Sequence, residues 1–189
     1  MFPPDPKMKN GFYNEEIYRQ ALDLYPSVVK LLKSKGEENK DKTWIIFKNE
    51  KYSYKETDNI SSGIASGLIG LGAKRGDKIA IYAFNSPQWL FSYFGILKAG
   101  CIPVTVNTGF IKDPLVYNID MPESRFLFLD SRLAGNYLAV KDNLPYLEKI
   151  ILIGNENGLP QKLENTVTFE TLLKTYSIKE DSELKGSNC

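Results

Sequence analysis

DKIAIYAFNSPQWLFSYFGILKAGCIPVTVN, residues 77–107, decides the fold. Lys78 to Ala83 is a short apolar run, suited to a strand buried on both faces. Asn85-Ser86-Pro87 breaks it. Ser86 is a good helix cap, and Pro87 fits the first helical position, where no backbone donor is needed. Trp89, Leu90, Tyr93, Phe94 and Leu97 then recur at helical spacing and predict one broad apolar face. Ala99-Gly100 stops the helix, and Cys101 to Val106 is a second, β-branched strand. Two buried strands joined by a helix predict a right-handed crossover and a parallel sheet.

Working outward, Thr43 to Phe47 and Lys51 to Tyr54 read as a hairpin around Asn49-Glu50. Thr57 to Gly72 reads as a helix with Ile60, Ile64, Leu68 and Leu71 on one face. Its glycines do not make a nucleotide loop, because a G-x-G starting at Gly70 would need glycine where Arg75 stands. After Asn107 comes a turn, Thr108-Gly109-Phe110, then a helix to Asp120 with Asp113 as its expected cap. Arg125 to Leu129 and Lys149 to Ile153 are further strands, with a short helix opened by Asp130-Ser131 between them. Thr166 to Phe169 and Glu170 to Tyr176 add a short strand and helix. The alternation predicts an α/β fold: layered, with a mainly parallel sheet and helices on both faces. Three regions are expected: an extended arm over 1–13, the α/β unit over 14–178, and a polar tail over 179–189. The unit should begin with a helix from Asn14, kinked at Pro26, and a charged loop should follow from Lys35 to Lys42.

Composition removes several kinds of chemistry. The 189 residues include no histidine, so His triads, His bases and His metal sites are excluded. Two cysteines, Cys101 and Cys189, cannot build a cysteine-rich metal site. No metal site is expected within the chain. A formal charge of +1 makes no electrostatic case for nucleic acid or an anionic membrane. Ile79 to Leu97 carries no formal charge, but Asn85, Ser86, Pro87 and Gln88 interrupt it, so no membrane span is expected. Few cysteines and no secretory signal fit the cytoplasm.

The opening stretch resembles the adenylate-forming acyl-CoA synthetases, AMP-forming ligases related to luciferases and to peptide-synthetase adenylation domains. The resemblance rests on Gly76-Asp77, Asn85-Ser86-Pro87, Leu97-Lys98-Ala99-Gly100 and Val104-Thr105-Val106-Asn107, with Tyr52-Ser53-Tyr54-Lys55-Glu56 upstream. It spans about residues 40–155. One departure is that proline stands at Pro103, and Thr105 occupies the usual proline position. Within the family the likeness is closest to fatty-acid and carnitine- or crotonobetaine-type CoA ligases.

That resemblance implies ATP, Mg²⁺ and coenzyme A acting on a small carboxylic acid. It also implies a Ser/Thr/Gly-rich phosphate loop, an adenine motif, a hinge and a catalytic lysine, none of which occurs here. The expectation is therefore an amino-terminal piece of such a ligase ending before its phosphate loop. By itself it should be inactive, hold no catalytic residue and bind no cofactor tightly. It should also carry an apolar face through which it could self-associate. The resemblance places Asn107, Thr108 and Gly109 beside the channel for CoA, where a glycine lets a ligand approach the backbone. Gly109 serving only as a turn remains open. So does the choice between a CoA phosphate and solvent for Arg132 and Lys141, and between an acyl pocket and core for Trp89, Tyr93 and Phe94. The alternative function is a non-catalytic CoA-binding or protein-interaction module. An unrelated doubly wound nucleotide-binding domain is a third reading, but it lacks a glycine fingerprint.

Overall fold

The computed structural model describes Asp23 and residues 27–174. The expected arm over 1–13, the helix start at Asn14, Pro26 and the tail over 179–189 lie outside the described residues. Helix α1 (Val28–Glu38) is capped by Ser27, whose Oγ accepts from the Lys30 N–H. It runs through half of the expected charged loop. Ser34 Oγ donates to Glu38 Oε1 at 2.7 Å, and Lys35 pairs with the same carboxylate. These neighbours at i+3 and i+4 let a charged stretch continue as helix.

β1 (Thr43–Phe47) and β2 (Glu50–Ser53) form a separate antiparallel hairpin. Its second strand ends sooner than the sequence suggests, because Ser53 starts α2 (Tyr54–Gly70) through a capping box. The Glu56 N–H donates to Ser53 Oγ at 3.1 Å, and the Ser53 N–H donates to Glu56 Oε2 at 2.7 Å.

β3 (Lys78–Tyr82), β4 (Ile102–Thr105), β5 (Phe126–Asp130), β6 (Lys149–Ile153) and β7 (Thr166–Thr168) make the main sheet. Their order is β4-β3-β5-β6-β7, and every neighbouring pair is parallel. Ile79, Ile81, Phe126, Phe128, Ile151 and Ile153 pack with α2, with α3 (Pro87–Lys98) and with Phe169 and Leu172. Ala80, Tyr82, Leu127, Leu129, Ile150 and Leu152 pack with α4 (Lys112–Asp120) and α5 (Ala134–Leu138). Both faces are covered, so the central strands carry apolar residues at consecutive positions.

α3 starts as its sequence indicates, with Ser86 Oγ accepting from the Trp89 N–H and Pro87 in the first turn. Gly100 ends it at φ +74°, in the left-handed region that glycine tolerates. The buried stripe differs from the expected one. Phe91, Phe94, Gly95 and Ile96 are buried, while Trp89 and Tyr93 are half-buried at the margin, stacked at 5.6 Å and 7°. The reason is that α3 packs against both the sheet and α2 and is covered on two sides. At Gly95 a Cβ would fall 2.4 Å from Ile64 Cγ2, so a bare backbone permits this approach of α3 to α2. α4 also departs from expectation. Its N-cap is Ile111, with no side-chain cap, and Asp113 sits one step inside as a first-turn acid.

Candidate functional site at the carboxyl edge of the sheet

The order β4-β3-β5-β6-β7 is that of a doubly wound sheet. α3 crosses on one face and α5 on the other, so the winding reverses between β3 and β5. Ligands of such sheets bind beyond the carboxyl ends of the strands near this reversal. The segments that meet there are Ala83-Phe84-Asn85 after β3, Val106-Asn107-Thr108 after β4 and Ser131-Arg132 after β5. Phe84, Asn85, Trp89, Thr105, Asn107 and Thr108 line a cleft of about 580 Å³.

The turn after β4 is held from within. Gly109 N–H donates to Asn107 Oδ1 at 2.8 Å, and Phe110 N–H donates to the Asn107 carbonyl at 3.0 Å. It is also held from below. Tyr82 Oη donates to the Phe110 carbonyl at 2.7 Å and accepts from Asn136 Nδ2 at 3.0 Å. Gly109 is exposed, and its φ is outside the left-handed region. An added Cβ would meet only Asn107 Oδ1, at 3.3 Å. The fold therefore does not itself demand glycine at this position.

Arg132 is not a free surface charge. Its Nε and Nη2 donate to the two Asp130 carboxylate oxygens at 2.8 and 2.6 Å, and its guanidinium lies 4.4 Å over the Phe84 ring. Burial pushes the Asp130 carboxyl up. The side-chain and backbone donors of Arg132 outweigh that burial and hold it below its ordinary value. The same bonds raise the Arg132 guanidinium. Because Phe84 lines the cleft, this pair places a cation at its rim.

The structure thus brings Asn107 and Thr108 into the cleft and puts Gly109 at the next position of the turn. Of the aromatic set only Trp89 lines the cleft, while Phe94 packs against Trp44. Lys141 is at the opposite edge, beside the start of β6, paired with Asp142 at 2.7 Å. Sequence reasoning singled out Arg132 but missed Tyr82 and the pairing of Arg132 with Asp130 and Phe84. A signal existed for both. Tyr82 is the one phenol in an otherwise apolar strand end, and Asp130 closes the run Phe126 to Leu129.

The description "AMP-binding enzyme" belongs to the family model that matches residues 32–182. The chain is a member of the AMP-binding enzyme family. It is 28% identical over 160 residues to a long-chain-fatty-acid–CoA ligase of Rattus norvegicus, covering 84% of this chain and 20% of that protein. It is 32% identical over 147 residues to 4-hydroxybutyrate–CoA ligase 2 of Metallosphaera sedula, covering 76% of this chain and 26% of that protein. An anthranilate CoA ligase solved in complex with anthranoyl-AMP shares the fold at a TM-score of 0.73 and 24% identity. That match covers 81% of this chain and 29% of the solved one. The chain thus spans between a fifth and a third of these relatives.

Within that family the chain carries the doubly wound sheet and its cleft. Among the described residues no cluster of His, Cys, Asp or Glu could hold a metal ion. No helix among the described residues is long and apolar enough to cross a membrane.

Proposed function

We propose that this chain is the amino-terminal section of an AMP-forming acyl-CoA synthetase acting on a fatty acid in the cytoplasm. The observation that carries it is the family match over 32–182 on a sheet whose carboxyl-edge cleft is bordered by the Asn107–Gly109 turn. In the first half-reaction a carboxylate oxygen attacks the α-phosphorus of ATP, and pyrophosphate leaves with its bridging oxygen. In the second, the CoA sulfur attacks the acyl carbon, AMP leaves, and the thiol proton is released. Mg²⁺ would supply charge neutralisation at the phosphates.

The part assigned to this chain concerns CoA. Thr108 and Gly109 border the path of its thiol arm, with Asn107 shaping the turn. Arg132, with a side chain 64% exposed and two sets of donors already on Asp130, offers its remaining donors to a CoA phosphate. By itself the chain lacks a phosphate loop and should not adenylate an acid. The non-catalytic module has no specific observation in its favour. Tyr117 and Met121, exposed one turn apart at the end of α4, are the proposed contact for self-association.

The test compares the 189-residue chain with a ligase polypeptide that contains it, given ATP, Mg²⁺, CoA and fatty acids. Thioester formation by the longer polypeptide and no pyrophosphate release by the chain is the expected result. Pyrophosphate release by the chain alone overturns the division of labour, and no thioester from either overturns the ligase reading. Sedimentation of the chain with and without Met121→Lys checks the association surface, which is wrong if both run as monomers.

A further inference from the structure

Tyr82 ends a strand in which every other side chain from Ile79 onward is apolar, and its residue surface is entirely buried. A phenol hydroxyl so placed is costly unless both its donor and acceptor roles are filled. Here both are. The hydroxyl donates to the Phe110 carbonyl at 2.7 Å, with the Thr108 carbonyl at 3.4 Å, and accepts from Asn136 Nδ2 at 3.0 Å. Phe110 follows β4 and Asn136 lies in α5, after β5. One hydroxyl under β3 therefore ties the turn on one side of the sheet reversal to the helix on the other.

The tie is aimed at the turn that borders the cleft. Asn107 spends its side-chain oxygen on the Gly109 N–H, so the turn keeps its shape, but that bond does not locate it on the sheet. The Tyr82 bond fixes its far end to the layer beneath, where the Phe110 side chain also packs, and it does so through a backbone carbonyl that no side-chain change at 107–110 would remove.

We propose that Tyr82, supported by Asn136, is a positioning residue that holds the Asn107–Phe110 turn where Gly109 can meet the thiol arm of CoA. This rests on the reading of the turn as the CoA border. Tyr82 touches no reacting atom. It acts through the turn, so its loss should weaken the second half-reaction and spare the first.

Tyr82→Phe keeps the ring and removes the hydroxyl. In a ligase polypeptide containing this chain, KM for CoA should rise about three- to tenfold, the range that one hydrogen bond supports. ATP–pyrophosphate exchange with the acid, which needs no CoA, should be unchanged. Exchange of the Gly109 and Phe110 amides should quicken about fivefold, while those of β3 and β5 keep their protection. An unchanged KM for CoA, an equal fall in both half-reactions, or unchanged amide exchange in the turn overturns the proposal. Failure of the unsubstituted ligase to make any thioester is a different result, because it removes the ligase reading itself.

Discussion

Lys98 Nζ lies 2.6 Å from Asp58 Oδ1, joining the last turn of α3 to the first turns of α2. The same ammonium donates to the Asp58 carbonyl at 2.6 Å and to Ser62 Oγ at 2.9 Å. Both side chains are about nine-tenths buried. Lysine has three donors, and here three oxygens receive them. The Lys98-Ala99-Gly100 sequence thus does two jobs: it ends a helix and locks that helix to its neighbour.

Removing Lys98 leaves the nearly buried Asp58 carboxylate with the more distant Lys55 ammonium, 3.6 Å away, and removing Asp58 takes the carboxylate from a nearly buried ammonium. Lys98→Met should lower unfolding free energy by about 3 kcal/mol or more. Asp58→Ala should do the same, and the double substitution should cost clearly less than the sum. Urea unfolding followed by circular dichroism measures all three. Additive losses would mean that the two groups do not interact.

The carboxyl of Asp130 gives a pH dependence of known sign. Its folded value is depressed below the unfolded one, near 3.9 for an aspartate. Its contribution is therefore fully present above the unfolded value and is lost as pH falls through the lower folded value. A series of urea midpoints from about pH 6 down to pH 2 should show this acid limb, and Asp130→Asn should flatten part of it. Arg132→Ala should cost stability at neutral pH, since it takes the guanidinium from a buried carboxylate and leaves it the backbone N–H of residue 132. A limb identical in Asp130→Asn and the unsubstituted chain would contradict the assignment.

Most of the sheet is legible because its strands are covered on both sides. Lys149 to Ile153 coincides with β6, and the Ser86-Pro87 start of α3 needs no correction. What misled was competition between local signals. Tyr52-Ser53-Tyr54 alternates like a strand, yet Ser53 and Glu56 spell a capping box that wins and opens α2 early. Lys35 to Glu38 looks like a solvated loop because its charges dominate, whereas paired charges one turn apart extend α1. Asp113 is a fitting cap in isolation, but the cap is Ile111 and the chain enters α4 two residues sooner, at Lys112 with φ +51°. At the cleft, Asn107 and Thr108 could be placed from the strand that precedes them. Asp130 is signalled by its place after the apolar run Phe126 to Leu129, but the position of its fork with Arg132 over Phe84 depends on how two separate strand ends lie side by side.

Two glycines separate packing from ligand approach. At Gly95 a Cβ would meet Ile64 at 2.4 and 2.7 Å and the Ser61 carbonyl at 3.2 Å, and the helix backbone cannot retreat without parting α3 from α2. Gly95→Ala should therefore destabilise the fold by about 1–3 kcal/mol, the usual cost of overpacking. At Gly109 the only near atom is Asn107 Oδ1, on an exposed side chain that can shift by a few tenths of an ångström. Gly109→Ala should change stability by less than about 0.5 kcal/mol. In a ligase polypeptide containing the chain, the same methyl would stand on the proposed path of CoA and should raise KM for CoA several-fold. Thermal unfolding and CoA-dependent thioester formation, measured on both variants, separate the two roles. A Gly109→Ala variant with full stability and ordinary use of CoA would mean that this glycine only makes a turn.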